Sequence, residues 1–355
     1  MADINFGKTL SLSQAAALIT HNPETTFLLQ GEPGIGKSSL LQAIADDLGI
    51  EGVYIDVPNM DLGDICMPVV DHATKTTRYY PNARFKLHEG KPVAIMLDEF
   101  TKGPDPVKNM LHPMFEKANR RLGDLPIPSG YPIFLTGNLT TDGVGDSMKA
   151  HTRNRIVPVT VRKPNAEEWV MWGTKNDIAP EVLAFVDRYP HVLESYLDND
   201  ANKDNPYIYN PRKPQNAFVS PRSLHTASNI VRKREHYDAD TLIAALTGAV
   251  GESASRDLQA FIAFADQLPS WASIVSSPQY APVPDNPGAC AVVAFGAISK
   301  VTKETMDACM TYIGRFAPEW QATFCIQMSK NSQKQKIAFG SKAFAAWVAA
   351  NQDLL

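Results

Sequence analysis

The stretch Gly31-Glu32-Pro33-Gly34-Ile35-Gly36-Lys37-Ser38 constrains this chain more than any other. It satisfies the phosphate-loop pattern G-x-x-x-x-G-K-[ST] at every position. Its flanks fit the same geometry. Thr26–Gln30 before it is short, apolar and partly β-branched, as a buried strand is. Ser39–Leu48 after it repeats apolar residues at helical spacing and meets no breaker until Gly49. Strand, glycine loop and helix set backbone N–H groups and the positive end of a helix dipole around a phosphate. In that arrangement Lys37 reaches the β- and γ-phosphates, and the Ser38 hydroxyl ligates magnesium.

A second apolar run, Val93–Leu97, ends in Asp98-Glu99. A buried strand here delivers Asp98 to hold magnesium and Glu99 to polarise an attacking water. Tyr131–Gly137 reads as a further buried strand with Asn138 at its tip, level with Asp98. An amide there orients the same water, or caps the strand. Residues 146–152 read as a short helix, followed by Arg153-Asn154-Arg155 and a strand at Ile156–Val161. The two arginines suit either a charge lent to a neighbour's nucleotide or a solvated basic turn. Ser220-Pro221-Arg222 opens a helix that runs to about Arg234. A cation in the first turn opposes the dipole, so Arg222 points to an anionic partner.

Between the two motifs, Gly52–Val57 reads as a strand and Asn59–Ile65 as the start of a helix. Two β-prone runs, Met67–Asp71 and Thr76–Pro81, then flank a short polar turn, and helical character returns at Asn82–Gly90. A hairpin interrupting a helix either projects to grip a partner through Tyr79 and Tyr80 or is an ordinary surface hairpin. Elsewhere the spacing predicts helices at 10–21, with Ser11 or Ser13 as cap and Ala16, Leu18 and Ile19 inward, and at Asp105–Asn119. Two helices follow over 164–190, then a polar loop at 197–217 and helices at Asp238–Val250 and Ser255–Leu268. Pro269–Gly288 reads as a linker or wrapping segment, and 289–355 as helical. Lys330–Lys336 is basic and polar, which suits a solvated face or a nucleic-acid contact.

With 355 residues, roughly two or three domains are expected. A net charge of −4 gives no global basic footprint for nucleic acid. Cys66, Cys290, Cys309 and Cys325 form no C-x-x-C pair, so neither a zinc site nor a disulfide framework is indicated. A reducing, cytoplasmic compartment is the expectation. The first five residues lack a basic region leading into an apolar run, so no signal peptide is read there. No run approaches the ~18 apolar residues of a membrane span.

In chain order, the phosphate loop, Asp-Glu strand, Asn-tipped strand, arginine turn and Ser-Pro-Arg helix resemble an AAA+ ATPase over roughly residues 10–265. The hairpin at 67–81 is similar to the helix-2 insert of the MoxR-like group. On this resemblance Gly31–Ser38 forms the Walker A motif, with Ser39 after it also binding the nucleotide, and Val93–Glu99 forms the Walker B motif. Asn138 takes the sensor-1 position and Arg222 the sensor-2 position, where it contacts the γ-phosphate. Arg155 takes the arginine-finger position, with Arg153 competing for it. There are departures. Asn154 and Ile156 flank Arg155 where Asp and Phe are commoner, Asp-Glu-Phe-Thr-Lys replaces Asp-Glu-Ile-Asn-Arg, and Leu139 stands where a proline is usual.

The resemblance implies an α/β fold: a P-loop AAA+ αβα domain with a parallel sheet (1–163), an α-helical lid (164–268), and a Pro-rich linker with a helical C-terminal extension (269–355). It implies a homo-oligomeric ring, a hexamer, with ATP and Mg2+ at subunit interfaces. Ser38 and Asp98 would hold the metal, and Glu99, Asn138, Arg155 or Arg153, and Arg222 would act in hydrolysis. The function implied is that of a chaperone-like ATPase remodelling a protein client or a complex with a von Willebrand A-domain partner. The alternatives are a nucleic-acid motor or loader and a nucleotide-switched scaffold. The hairpin offers only Lys75 and Arg78 against Asp71 for a nucleic acid.

Overall fold

A computed structural model describes residues 8–139, 150–199, 201–210 and 215–354. The first five residues, the start of the helix expected at 146 and parts of the 197–217 loop lie outside the described residues. The chain divides into two compact units, residues 1–163 and 164–355.

The first unit is built on a five-stranded parallel sheet. Its strands are β1 (Phe27–Gln30), β2 (Glu51–Asp56), β5 (Val93–Asp98), β8 (Ile133–Gly137) and β9 (Val157–Thr160), in the order β2-β5-β8-β1-β9. Two small antiparallel pairs stand outside it: β3 (Cys66–Asp71) with β4 (Thr76–Pro81), and β6 (Arg121–Leu122) with β7 (Leu125–Pro126). Alternation along the strands separates two apolar faces. Phe27, Leu29, Ala94, Met96 and Phe134 pack with α1 (Leu12–Thr20) and α2 (Leu40–Leu48). Leu28, Val53, Ile55, Ile95, Leu97, Ile133 and Leu135 pack with Phe85, Phe100, Phe115 and α3 (Asp105–Leu111) on the other side. The result is an αβα sandwich. Ser11 caps α1 in a capping box with Gln14, and Ala15 and Ile19 are its buried residues.

Several expectations are corrected. Among the described residues no α-helix flanks the β3–β4 hairpin. Single 3-10 turns stand there instead, at Val57–Asn59, Ala83–Phe85 and Leu87–Glu89. On one side Asp61 and Asp64 each accept the other's backbone N–H at 3.0 Å, competing with helical bonding. On the other, Lys86 and Gly90 adopt left-handed conformations that stop propagation. The helix expected over Asp105–Asn119 ends at Leu111 and tightens into a 3-10 turn at His112–Phe115, because Pro113 has no N–H to donate. A four-residue helix, α4 (Ala150–Arg153), precedes β9.

The second unit is helical: α5 (Ala166–Lys175), α6 (Pro180–Arg188), α7 (Pro221–Val231), α8 (Ala239–Val250), α9 (Glu252–Asp266), α10 (Trp271–Ser276), α11 (Pro287–Lys300), α12 (Met306–Ile313), α13 (Pro318–Lys330), α14 (Gln335–Ala338) and α15 (Lys342–Ala350). At its centre lies α11, buried nearly all round as its unbroken apolar run requires, against α6, α9 and α13. The proline-rich 269–288 segment is pinned to this core. Tyr312 donates to the Pro282 carbonyl at 2.6 Å, and Arg315 to the carbonyls of Pro278 and Ala281. Lys334, expected on a solvated face, instead donates to the carbonyls of Ser299 and Val301. Among the described residues no helix is long and apolar enough to cross a membrane.

Candidate active site

Parallel strands deliver their C-terminal ends to one edge of the sheet, and the phosphate loop leaves β1 at that edge. All three of its glycines are required. Gly34 and Gly36 sit at φ 75° and 104°, which L side chains avoid, and a Cβ on Gly31 would lie 2.5 Å from the Val161 carbonyl oxygen. Lys37 opens a 3-10 turn that leads into α2. Its ammonium donates back to the carbonyls of Gly31 (2.7 Å) and Glu32 (2.8 Å), curling over the loop. Ser39 closes the turn through the Gly36 carbonyl at 2.7 Å.

Ser38 Oγ lies 3.4 Å from Asp98 Oδ2 across the sheet edge. Two further hydroxyls hold the same carboxylate. Tyr54 donates to Oδ2 at 2.8 Å, and Thr136 donates to Oδ1. Thr136 Oγ1 also accepts the backbone N–H of Glu99 at 2.9 Å, so one buried hydroxyl positions both acids. Glu99 turns off the strand end at φ 49°, and its carboxylate pairs with Lys102 Nζ at 2.9 Å. Partial desolvation at the sheet edge, and then the hydrogen bond to Asp98, pushes the Tyr54 phenol up to about 12. It therefore remains a donor throughout the working pH range.

Strand register explains these contacts. Asp56 pairs with Asp98, which places Tyr54 two residues back on the same face of edge strand β2. Leu97 pairs with Leu135, so Thr136, not Asn138, is level with Asp98. The expectation for Asn138 is corrected on that point. It follows the Gln30–Gly137 pair and stands half-buried beside the entry to the phosphate loop. Tyr54, Thr136 and Lys102 were not singled out from the sequence. The available signal was a polar residue on the face of a buried strand where its i−2 neighbour is apolar, as in Phe134 then Thr136.

The remaining candidates lie on other elements. Arg155 Nε pairs with Glu116 Oε1 at 2.9 Å, and its Nη1 lies 3.4 Å from His112 Nε2. Arg153 is exposed at the end of α4. Arg222 is exposed in the first turn of α7 in the second unit, behind the Ser220 cap and its box with Ser223.

Ser38 and Asp98 are hard oxygen donors suited to magnesium. Among the described residues no group of three or more His, Cys, Asp or Glu side chains forms a metal cage. Magnesium tolerates that, since it binds through one or two protein oxygens and completes its shell with water and substrate phosphates.

Phosphate loop, curled lysine and strand-end acids at the open edge of a parallel sheet define a phosphate-loop nucleotide-binding domain. Residues 27–120, from β1 through both acids, match the family described as ATPase family associated with various cellular activities (AAA). The sheet and flanking layers are those of an AAA+ P-loop fold followed by a helical C-terminal part. No curated protein matches the chain. Three solved structures are similar at a distance. A putative ATPase from Cytophaga hutchinsonii is 12% identical over 68% of this chain and 81% of its own, with a TM-score of 0.29. A point mutant of RuvB from Thermotoga maritima is 14% identical over 83% and 89%, at 0.36. NtrX from Brucella abortus in complex with ADP is 12% identical over 98% and 69%, at 0.34. Likenesses this remote carry no weight for function.

Proposed function

We propose that this chain hydrolyses ATP within a homo-oligomeric ring and uses the cycle to remodel a partner protein. The observation that carries the reading is the meeting of Lys37, Ser38, Asp98 and Glu99 at one sheet edge, with both acids set by Thr136. An arriving triphosphate competes with the Gly31 and Glu32 carbonyls for the Lys37 ammonium, while loop amides take its oxygens. Ser38 and Asp98 would hold magnesium, which supplies neutralisation of phosphate charge. Glu99 exchanges Lys102 for the attacking water and accepts its proton. Asn138 orients that water. Arg222 in the same chain and Arg155 from a neighbour meet the charge that develops on the γ-phosphate, and Arg155 leaves Glu116 to do so.

The β3–β4 hairpin supports a protein client. Met67, Val69, Val70, Tyr79 and Tyr80 are all exposed, an apolar grip rather than a cationic one. The test is a trap. Glu99→Gln is expected to bind ATP and hydrolyse it ~10²–10⁴-fold more slowly. Recovered from its host with ATP and magnesium, it should retain one specific protein that is lost when Lys37→Ala is added. Nuclease-sensitive nucleic acid with no protein would sink the remodelling reading in favour of a motor.

A further inference from the structure

The Asp98 carboxylate is held at both oxygens, by different strands. Thr136 on β8 takes Oδ1 from a buried position. Oδ2 is the oxygen that faces Ser38, and its shorter bond, 2.8 Å, comes from Tyr54 on edge strand β2. The Tyr54 residue is 53% exposed, so little of it serves to fill the core. What it gives the site is its hydroxyl. A carboxylate oxygen offers two lone-pair directions; Tyr54 takes one of Oδ2 at 2.8 Å, and the Ser38 hydroxyl meets the same oxygen more loosely at 3.4 Å.

We propose that Tyr54 is a positioning residue that locks Asp98 with Oδ2 turned to Ser38 and so sets the magnesium affinity of the site. This rests on reading Ser38 and Asp98 as the metal-holding pair. Partners one step behind a metal ligand typically contribute ~10–100-fold in affinity. Tyr54 controls one oxygen while Thr136 keeps the other, so the lower figure, ~10-fold, is expected.

The experiment uses the full chain carrying Glu99→Gln, so that nucleotide is not consumed. Binding of a fluorescent ATP analogue is followed by anisotropy while magnesium is titrated. Tyr54→Phe should raise the half-saturating magnesium concentration ~10-fold. Binding of the analogue in chelator and the melting temperature should stay at parental values, because the ring is retained. Ser38→Ala runs alongside as the reference for the metal pair. If Ser38→Ala shifts the magnesium titration and Tyr54→Phe leaves it unchanged or tightens it, the Tyr54 inference falls alone. If the parent shows no magnesium dependence, or Ser38→Ala does not move it, the reading of the metal pair falls with it. A melting temperature lowered by Tyr54→Phe, with chelator binding weakened in proportion, would make Tyr54 structural and overturn the proposal.

Discussion

Thr136 shows how much one hydroxyl decides. It donates to Asp98 and accepts from the Glu99 N–H, so removing it leaves a backbone donor unpaired and a carboxylate oxygen short of a partner. Thr136→Val keeps the volume and removes both bonds. It is expected to cost roughly 1–3 kcal/mol in urea denaturation, and Thr136→Ser should recover most of that. A valine variant as stable as the parent would show that neither bond contributes. Lys37, Ser38, Asp98 and Glu99 were legible in the sequence because each sits at a fixed offset within a local motif. Tyr54 and Thr136 were not, because their roles depend on which strand lies beside β5 and in what register.

The β3–β4 hairpin was legible as an element, from two β-prone runs around a polar turn, but its anchoring was not. Asp124, in the turn between β6 and β7, grips Tyr79 from both sides. Its carboxylate accepts the Tyr79 N–H at 2.8 Å, and its own N–H donates to the Tyr79 carbonyl at 2.8 Å. A turn far along the chain thus braces the exposed hairpin. Asp124→Ala removes the carboxylate half of this clamp. Hydrogen exchange at the Tyr79 amide should accelerate roughly tenfold, as loss of one hydrogen bond to a charged group implies, while exchange in β5 and β8 stays unchanged. Equal protection in both proteins would mean that the backbone half suffices. The helices expected beside the hairpin failed for a local reason. Side chains of Asp61 and Asp64 and left-handed turns at Lys86 and Gly90 satisfy or interrupt the backbone within a few residues.

At the scale of the molecule, the two units have separate cores. The second core runs from Trp169 to Phe344 as one cluster, with Phe185 and Phe261 in the same body as Phe295, Tyr312 and Phe324. A chain cut after residue 268 would strip α6 and α9 of the helix they pack on and expose their apolar faces. It is expected to aggregate or to lose cooperative melting of the second unit, while the full chain melts cooperatively. Scanning calorimetry with light scattering decides this. A truncated chain that stays monodisperse with a sharp second transition would show that residues 164–268 fold without residues 269–355.

By itself the sequence determined the local chemistry and the class of fold. A phosphate loop between an apolar strand and an amphipathic helix, with an apolar run ending in two acids downstream, leaves few arrangements other than a parallel sheet presenting both at one edge. The tertiary structure alone decided what surrounds those groups: Tyr54 and Thr136 on Asp98, Lys102 on Glu99, Glu116 on Arg155. The physical reason is range. Backbone geometry and helix or strand periodicity are written in neighbouring residues. A side-chain partner across a sheet or from another loop depends on register and packing, which no short stretch of chain encodes.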